Sequence, residues 1–298
     1  MFSWLKKRIK FQIKNLFFKP NYKTFGYEKW SPQVKIGIRQ LWHYHQDNAN
    51  KGKVLDLENA GFRVFSEGDE DGKLLALFAY AGIFNKTFVD IGGADGVNSN
   101  CANFAINLGW YGLFIDGSDE NIRFGRKYYA LHPDTRVYPP KFCQAFVSRE
   151  NINKILESEG MNGEVDLLSL DIDGNDYWIW DALEIVSPRV VIIETHIEFG
   201  YNNIVVPYDA NFIPPGKHPD YHGASPVAMV ELAKKKGYRL VGSNIYGYNT
   251  IYLRNDLAVG LVPEISVEKV LSHPRNIERY KCFEPIKDWD YVKGEEYK

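Results

Sequence analysis

Four groups of residues in this chain have types and spacings that could do chemistry. The first is Asp90-Ile91-Gly92-Gly93-Ala94-Asp95-Gly96, a short apolar run that ends in a glycine turn. Glycine at such a turn lets the backbone approach a bound molecule that any side chain would hold off. The second is Asp116-Gly117-Ser118, closing the next apolar run, Gly112 to Ile115. An acid about 20 residues beyond a glycine turn can accept both hydroxyls of a ribose. The third and fourth are Asp171-Ile172-Asp173 and Glu194-Thr195-His196, each following an apolar run. Carboxylates beside an imidazole are groups that can take a proton from a hydroxyl.

These residues need a scaffold that brings strand ends together, and the pattern along the chain predicts one. Strands are expected at Phe88–Ile91, Gly112–Ile115, Arg136–Tyr138, Phe142–Val147, Val165–Leu170 and Arg189–Glu194, with a short one at Phe62–Phe65. The unbroken Val190-Val191-Ile192-Ile193 suits a parallel strand covered on both faces. Helices are expected at 31–48, 73–82, 120–131, 152–158, 177–184 and 226–236, the last opened by a proline. Arg239–Val241 and Thr250–Leu253 close the pattern as a pair of strands around Gly247. The expected fold is α/β: a Rossmann-like, doubly wound, seven-stranded, mostly parallel sheet with a terminal antiparallel hairpin and N-terminal helices. The expected division is 1–60 as a helical extension, 61–256 as the catalytic domain and 257–298 as a C-terminal extension packed on it.

The turn discriminates between cofactors. A dinucleotide site wants G-x-G-x-x-G with the pyrophosphate at a helix N-terminus. Here the third glycine is missing and Asp95 stands where phosphates would lie, a like-charge conflict. The same acid suits a ligand with an ammonium and a sulfonium, which is S-adenosylmethionine. Asp90, Gly92 and Gly96 match the D-x-G-x-x-x-G motif of class I methyltransferases.

The chain also resembles the FkbM-type class I methyltransferases and their relatives in surface-glycan clusters, over roughly residues 65–254. The stations are Ser66 to Gly72, Phe88 to Gly96, Gly109 to Gly117, Leu168 to Tyr177, Val190 to His196 and Tyr221 to Ser225. The chain departs from the family at the fourth strand end, where Ser169 replaces the usual lysine and Asp173 the usual glutamate. The resemblance implies O-methyl transfer to a hydroxyl of a sugar, nucleotide-sugar or surface-glycan acceptor.

On these grounds the cofactor contacts are expected from Asp90, Gly92, Gly93, Asp95, Gly96, Asp116, Gly117, Ser118 and Asp171. Gln144 and Ala145 are expected at the adenine edge. His196 is expected as the base, oriented by Asp173 or Glu194, with His222 as a second base. The long segment 200–225 is expected as an acceptor lid, and Tyr177, Tyr208, Tyr221 and His222 as acceptor contacts. The acids could equally hold Mg²⁺, and no metal ligands are assigned. A competing class is an NAD-dependent oxidoreductase or a non-catalytic nucleoside-binding protein. The former lacks its Tyr-x-x-x-Lys pair after the fifth strand.

The whole-chain averages fit a single enzyme. The chain has 298 residues, 45% of them hydrophobic, and a formal charge of −2, which draws no nucleic acid. Its three cysteines, an odd number without metal spacing, are expected as cytoplasmic thiols. The N-terminus departs from the average: seven Lys or Arg and no acid precede Gly26, around the stripe Phe2, Leu5, Ile9, Ile13 and Leu16. Such a basic amphipathic helix, residues 2–18, fits the inner membrane surface as a peripheral contact. It fits equally well packed on its own domain or on a second copy in a homo-oligomer.

Overall fold

The computed structural model describes residues 32–294, so the expected membrane-binding helix at 2–18 lies outside the described residues. The chain divides by its contacts into 1–41 and 42–298. Helix α1, Pro32–Asn50, crosses that division. Among the described residues no helix is long and apolar enough to cross a membrane.

In chain order the second unit then runs through α2 (Glu70–Ala81), β1 (Thr87–Ile91), α3 (Ala102–Asn107), β2 (Tyr111–Asp116), α4 (Asp119–Leu131) and β3 (Lys141–Gln144). It continues with α5 (Ile152–Ser158), β4 (Gly163–Leu170), α6 (Asp176–Ala182), β5 (Val186–Glu194), α7 (Pro226–Lys235), β6 (Tyr238–Ser243) and β7 (Asn249–Arg254). Two short helices, α8 (Val267–Val270) and α9 (Asn276–Arg279), follow. The seven strands order as β3-β2-β1-β4-β5-β7-β6. All pairings are parallel except those of β7 with β5 and β6, which are antiparallel. This is the doubly wound sheet with a terminal hairpin that the sequence predicts.

Alternation along the strands divides the core between the two faces of the sheet. Val89, Ile91, Leu113, Ile115, Leu168, Leu170, Val191 and Ile193 pack with Trp178 and Trp180 in one cluster. Phe88 and Phe114 point the other way, their rings 5.0 Å apart. Beside α2 and α3, Phe78, Phe104 and Trp110 form a second aromatic group, with centroids 4.5–5.4 Å apart.

Two expected strands are not strands. Phe62–Phe65 is a loop, because its amides go to a side chain: Asp71 Oδ2 accepts from Val64, Phe65 and Ser66 N–H at 2.6–2.9 Å. Arg136–Tyr138 is a turn whose Val137 and Tyr138 are 71% and 81% exposed, so its alternation has no core to face. The third strand is therefore Lys141–Gln144, paired in parallel with β2.

The C-terminal segment lies against the 200–225 insert. Val205 bridges both Ala224 and Val292. Phe199, Tyr221 and Ile286 form a small core with Phe283 and Tyr291.

Candidate functional site

The strand order reverses between β1 and β4, and a doubly wound sheet binds ligands beyond the carboxyl ends of its strands at that point. A cleft of about 710 Å³ opens there. Gly92 and Ala94 after β1, Ile115 to Ser118 at the end of β2 and Ala145 to Val147 after β3 form one side. Asp171 to Asp173 and Asn175 after β4, with residues 210–214 of the insert, form the other.

The local sequence explains why these tips meet. Gly92 has φ +82°, and a Cβ there would sit 1.6 Å from the Asp171 carbonyl oxygen. Only glycine lets the end of β1 turn against the end of β4. Backbone bonds tie the tips together: Gly92 N–H to Ile115 O at 2.9 Å, Asp171 N–H to Ile91 O at 2.9 Å and Ala145 N–H to Asp116 O at 3.0 Å. Asp116 uses Oδ1 to accept from Ser118 N–H at 2.7 Å and Asn121 Nδ2 at 3.2 Å. That arrangement holds the carboxylate at the cleft while Ser118 caps α4.

Of the residues expected at the site, Gly92, Asp116, Gly117, Ser118, Ala145, Asp171 and Asp173 line one cleft. Asp90, Gly93, Asp95, Gly96 and Gln144 do not. Asp90 is buried behind the turn, where Ser99 donates to it at 2.5 Å, and burial raises its carboxyl to about 6. It braces the turn from within. Asp95 turns back to accept from Val97 N–H at 2.9 Å. A side chain at Gly93 or Gly96 would run into Phe114, so these glycines serve packing. Gln144 is exposed, and its amide reaches only the Gly117 carbonyl at 3.5 Å.

Acid collects at the floor of the cleft. Asp171, Asp176 and Glu194 present oxygens that all lie within 4.8 Å of one another. Burial, then the charges of Asp176, Asp173, Glu67 and Asp90, push Asp171 up to about 8. Asp176 rises to about 6 by burial, although Ile172 and Gly174 N–H donate to it at 2.8 and 2.9 Å. Glu194 is driven well above the usual carboxylate range by burial and then by the charges of Asp171, Asp176, Asp173 and Glu198. Three hard oxygen donors of this kind could hold a divalent cation such as Mg²⁺. Sequence reasoning named Asp171 and Glu194 but gave no role to Asp176, whose signal was its place three residues after Asp173.

The histidines stand apart from the lining. His196 is 8% exposed, and its Nε2 lies 3.0 Å from both ring nitrogens of His222. The two rings are edge-on at 88° with centroids 4.0 Å apart, so His196 points at the face of His222. Burial, then His196, lowers His222 to about 4. The expected orienting carboxylates, Asp173 and Glu194, are replaced in that role by Glu198, whose Oε2 is 3.2 Å from His196 Nδ1. Burial pushes Glu198 up, but His196 and Arg279 outweigh it and hold the carboxyl at about 2. Phe212, which lines the cleft, stands next to His222 with ring centroids 6.1 Å apart. The signal for Glu198 was present two residues beyond His196. Its local turn, Ile197–Phe199, is what brings it back to the ring.

The expected acceptor tyrosines are framework. Tyr177 donates to Gly294 O at 2.8 Å, and Tyr221 donates to Asp290 O at 2.5 Å. Tyr208 donates to Glu150 at 2.8 Å and carries Arg149 over its ring. The two ends of 200–225 are packed, with Val205 and residues 223–225 buried and Trp178 Nε1 donating to Val206 O at 2.9 Å, while much of the middle is exposed. Its cleft-facing part is 210–214, where Phe212 lies so close to Gly174 that a Cβ there would be 2.3 Å from the ring. Sequence reasoning missed Phe212 and Phe146, the latter 80% exposed at the cleft.

No protein-family model matches the chain, and no curated protein matches it. Solved structures resemble it remotely. Magnesium protoporphyrin IX methyltransferase (ChlM) from Synechocystis PCC 6803 with bound SAM is 12% identical, with a TM-score of 0.38 over 62% of this chain and 77% of that one. The methyltransferase domain of bacterial CtHen1-C is 14% identical, with a TM-score of 0.41 over 62% and 96%. The bifunctional kinase-methyltransferase WbdD is 17% identical, with a TM-score of 0.35 over 57% of this chain and 34% of its own. The chain therefore spans about a third of WbdD. Likenesses this remote carry no weight for chemistry, which rests on the residues at the strand ends.

Proposed function

We propose that the protein is an S-adenosylmethionine-dependent O-methyltransferase acting on a hydroxyl of a sugar or glycan, as its resemblance to FkbM-type enzymes implies. One observation carries the reading. A glycine turn that tolerates no Cβ and the carboxylates of Asp116, Asp171 and Asp173 face one cleft, and among the described residues no lysine, arginine or histidine lines it. The residues fit such a cofactor. Gly92 leaves room for its backbone-hugging portion, Asp116 suits ribose hydroxyls, and acids suit its ammonium and sulfonium. A dinucleotide would place its pyrophosphate against Asp171 and Asp173 with no cation to meet it.

When bound, the cofactor supplies a methyl group on a sulfonium, which departs as a neutral thioether. The chain's own tasks are to align the acceptor oxygen and to take its proton. Alignment in favourable cases lowers the barrier by roughly 7–11 kcal/mol. We assign the proton to Asp173. It lines the cleft, in a left-handed backbone conformation with φ +56°. The His196–His222 pair lies outside the lining.

Thermal-shift and calorimetric titration with S-adenosylhomocysteine against NAD tests the cofactor. Stabilisation by S-adenosylhomocysteine alone is expected, and a response to NAD alone sinks the reading. Screening the chain with S-adenosylmethionine over a glycan array, with and without Mg²⁺ after chelator dialysis, then finds the acceptor and any metal requirement. With that acceptor, Asp173→Asn should lower turnover by about 10²–10⁴, the scale of a positioned base. An unaffected Asp173→Asn beside a dead His196→Ala would return the proton to the histidine.

A further inference from the structure

We propose that the acceptor is a neutral or amine-bearing sugar ring that carries no phosphate. The inference rests on the methyl-transfer reading and names the substrate class of that same cleft. Among the described residues its lining carries Asp116, Asp171 and Asp173 and no Lys, Arg or His. Asp176 and Glu194 lie beside Asp171, behind the lining. Three cations of the surrounding elements are held by other partners, while Lys217 of the insert is exposed. Lys73 lies on Asp69 at 2.9 Å and donates to Ser243 O at 2.7 Å, Arg126 donates to Phe142 O at 2.6 Å, and Arg279 is paired with Glu198.

Apolar groups stand beside these acids in the lining. Phe212, Ile213 and Pro214 come from the insert. Ile213 is 74% exposed, which leaves apolar surface open at the cleft. A sugar ring matches such a lining: its C–H face covers the aromatic ring, and its hydroxyl or ammonium hydrogens donate to the carboxylates. A phosphate or diphosphate offers only acceptor oxygens and negative charge, and this lining gives it neither donor cation nor counter-charge. The reaction does not change that balance. The acceptor O–H gives up its proton, the O–CH₃ bond forms as the S–CH₃ bond breaks, and the thioether leaves neutral.

The test loads the full chain with S-adenosylhomocysteine and titrates four probes by calorimetry at low salt: methyl glucoside, methyl glucosaminide, glucose 1-phosphate and UDP-glucose. The aminosugar should bind about tenfold more tightly than the neutral sugar, and its advantage should shrink as salt screens the acids. Neither phosphorylated probe should bind. Asp173→Asn, checked as folded by its retained S-adenosylhomocysteine affinity, should bring the amino and neutral sugars to within about twofold. Phosphorylated probes that bind as well as the neutral sugar, with or without Mg²⁺, overturn the inference, as does the absence of any ranking. Failure of the wild type to bind S-adenosylhomocysteine instead removes the methyl-transfer reading, whatever the order of the sugars.

Discussion

Asp166 and Asp171 belong to the same stretch of chain, one within β4 and one just past its end, and they live in opposite environments. Asp166 is fully buried and saturated with donors: Phe84, Asn85 and Lys86 N–H reach it at 2.6–2.9 Å, with Arg189 Nε at 3.5 Å. Asp171 is surrounded by Asp176, Asp173, Glu67 and Asp90 and is pushed up to about 8. The first carboxylate organises the turn that feeds β1. The second stores unfavourable charge at the cleft, which a cationic ligand, a metal ion or a proton relieves. What separates structure from site here is the supply of donors, since burial is common to both.

The sharpest way to break that contrast is to remove Asp166. Asp166→Ala leaves three amides and a guanidinium without their acceptor, and the fold should lose about 3–5 kcal/mol, the scale for one member of a buried charged pair. Urea unfolding would show it, with S-adenosylhomocysteine affinity of the remaining folded fraction unchanged. A stability loss below about 1 kcal/mol would mean water replaces the carboxylate.

The next effect is on binding alone. Asp116→Ala should weaken S-adenosylhomocysteine by about 1.5–3 kcal/mol, the range for charge-assisted hydrogen bonds, with the melting temperature barely changed. Equal affinity in calorimetry would move the ribose partner elsewhere.

A third measurement follows stability against pH. Burial and the neighbouring acids push Asp171 up to about 8 in the fold, against about 3.9 in an unfolded chain. Its protonated form contributes stability fully below about pH 4, and that contribution is lost as pH rises to about 8. Asp171→Asn cannot ionise, so its melting temperature should match wild type at pH 4 and exceed it at pH 8. Parallel curves for the two proteins would show that Asp171 carries no strain. Saturating Mg²⁺ that steadies the wild type at pH 8, and leaves the variant unchanged, would identify the ion as the natural relief.

The smallest effect is expected at the mouth. Phe146→Ala removes an exposed ring that covers Gly117, and S-adenosylhomocysteine should weaken by roughly 0.5–1.5 kcal/mol, the scale of an aromatic contact. No change would assign that ring to the acceptor side.

Legibility in the sequence followed the range of the interactions. The strands β1, β2, β4 and β5 were readable because burial on both faces writes itself as continuous apolar runs. Helix 152–158 was readable to the residue. Phe62–Phe65 and Arg136–Tyr138 misled because short alternation does not reveal whether a core lies opposite. In the first case the carboxylate that takes its amides sits six or seven residues away on α2. Gly92, Asp116 and Asp171 were legible as site residues because each ends a strand that the sheet must place at one edge.

The sequence by itself determined the α/β alternation, the glycine at the β1 turn and the acids at three strand ends, all consequences of local conformation and side-chain period. Only the tertiary structure decided which way each polar side chain faces. It turned Asp90 inward to Ser99, joined His196 to Glu198, which Arg279 also pairs, instead of to Asp173, and put Phe212 rather than Tyr208 or Tyr221 in the cleft lining. Those outcomes depend on partners up to 81 residues apart in the chain, and a carboxylate or imidazole goes to whichever donor or charge the packed fold brings within reach.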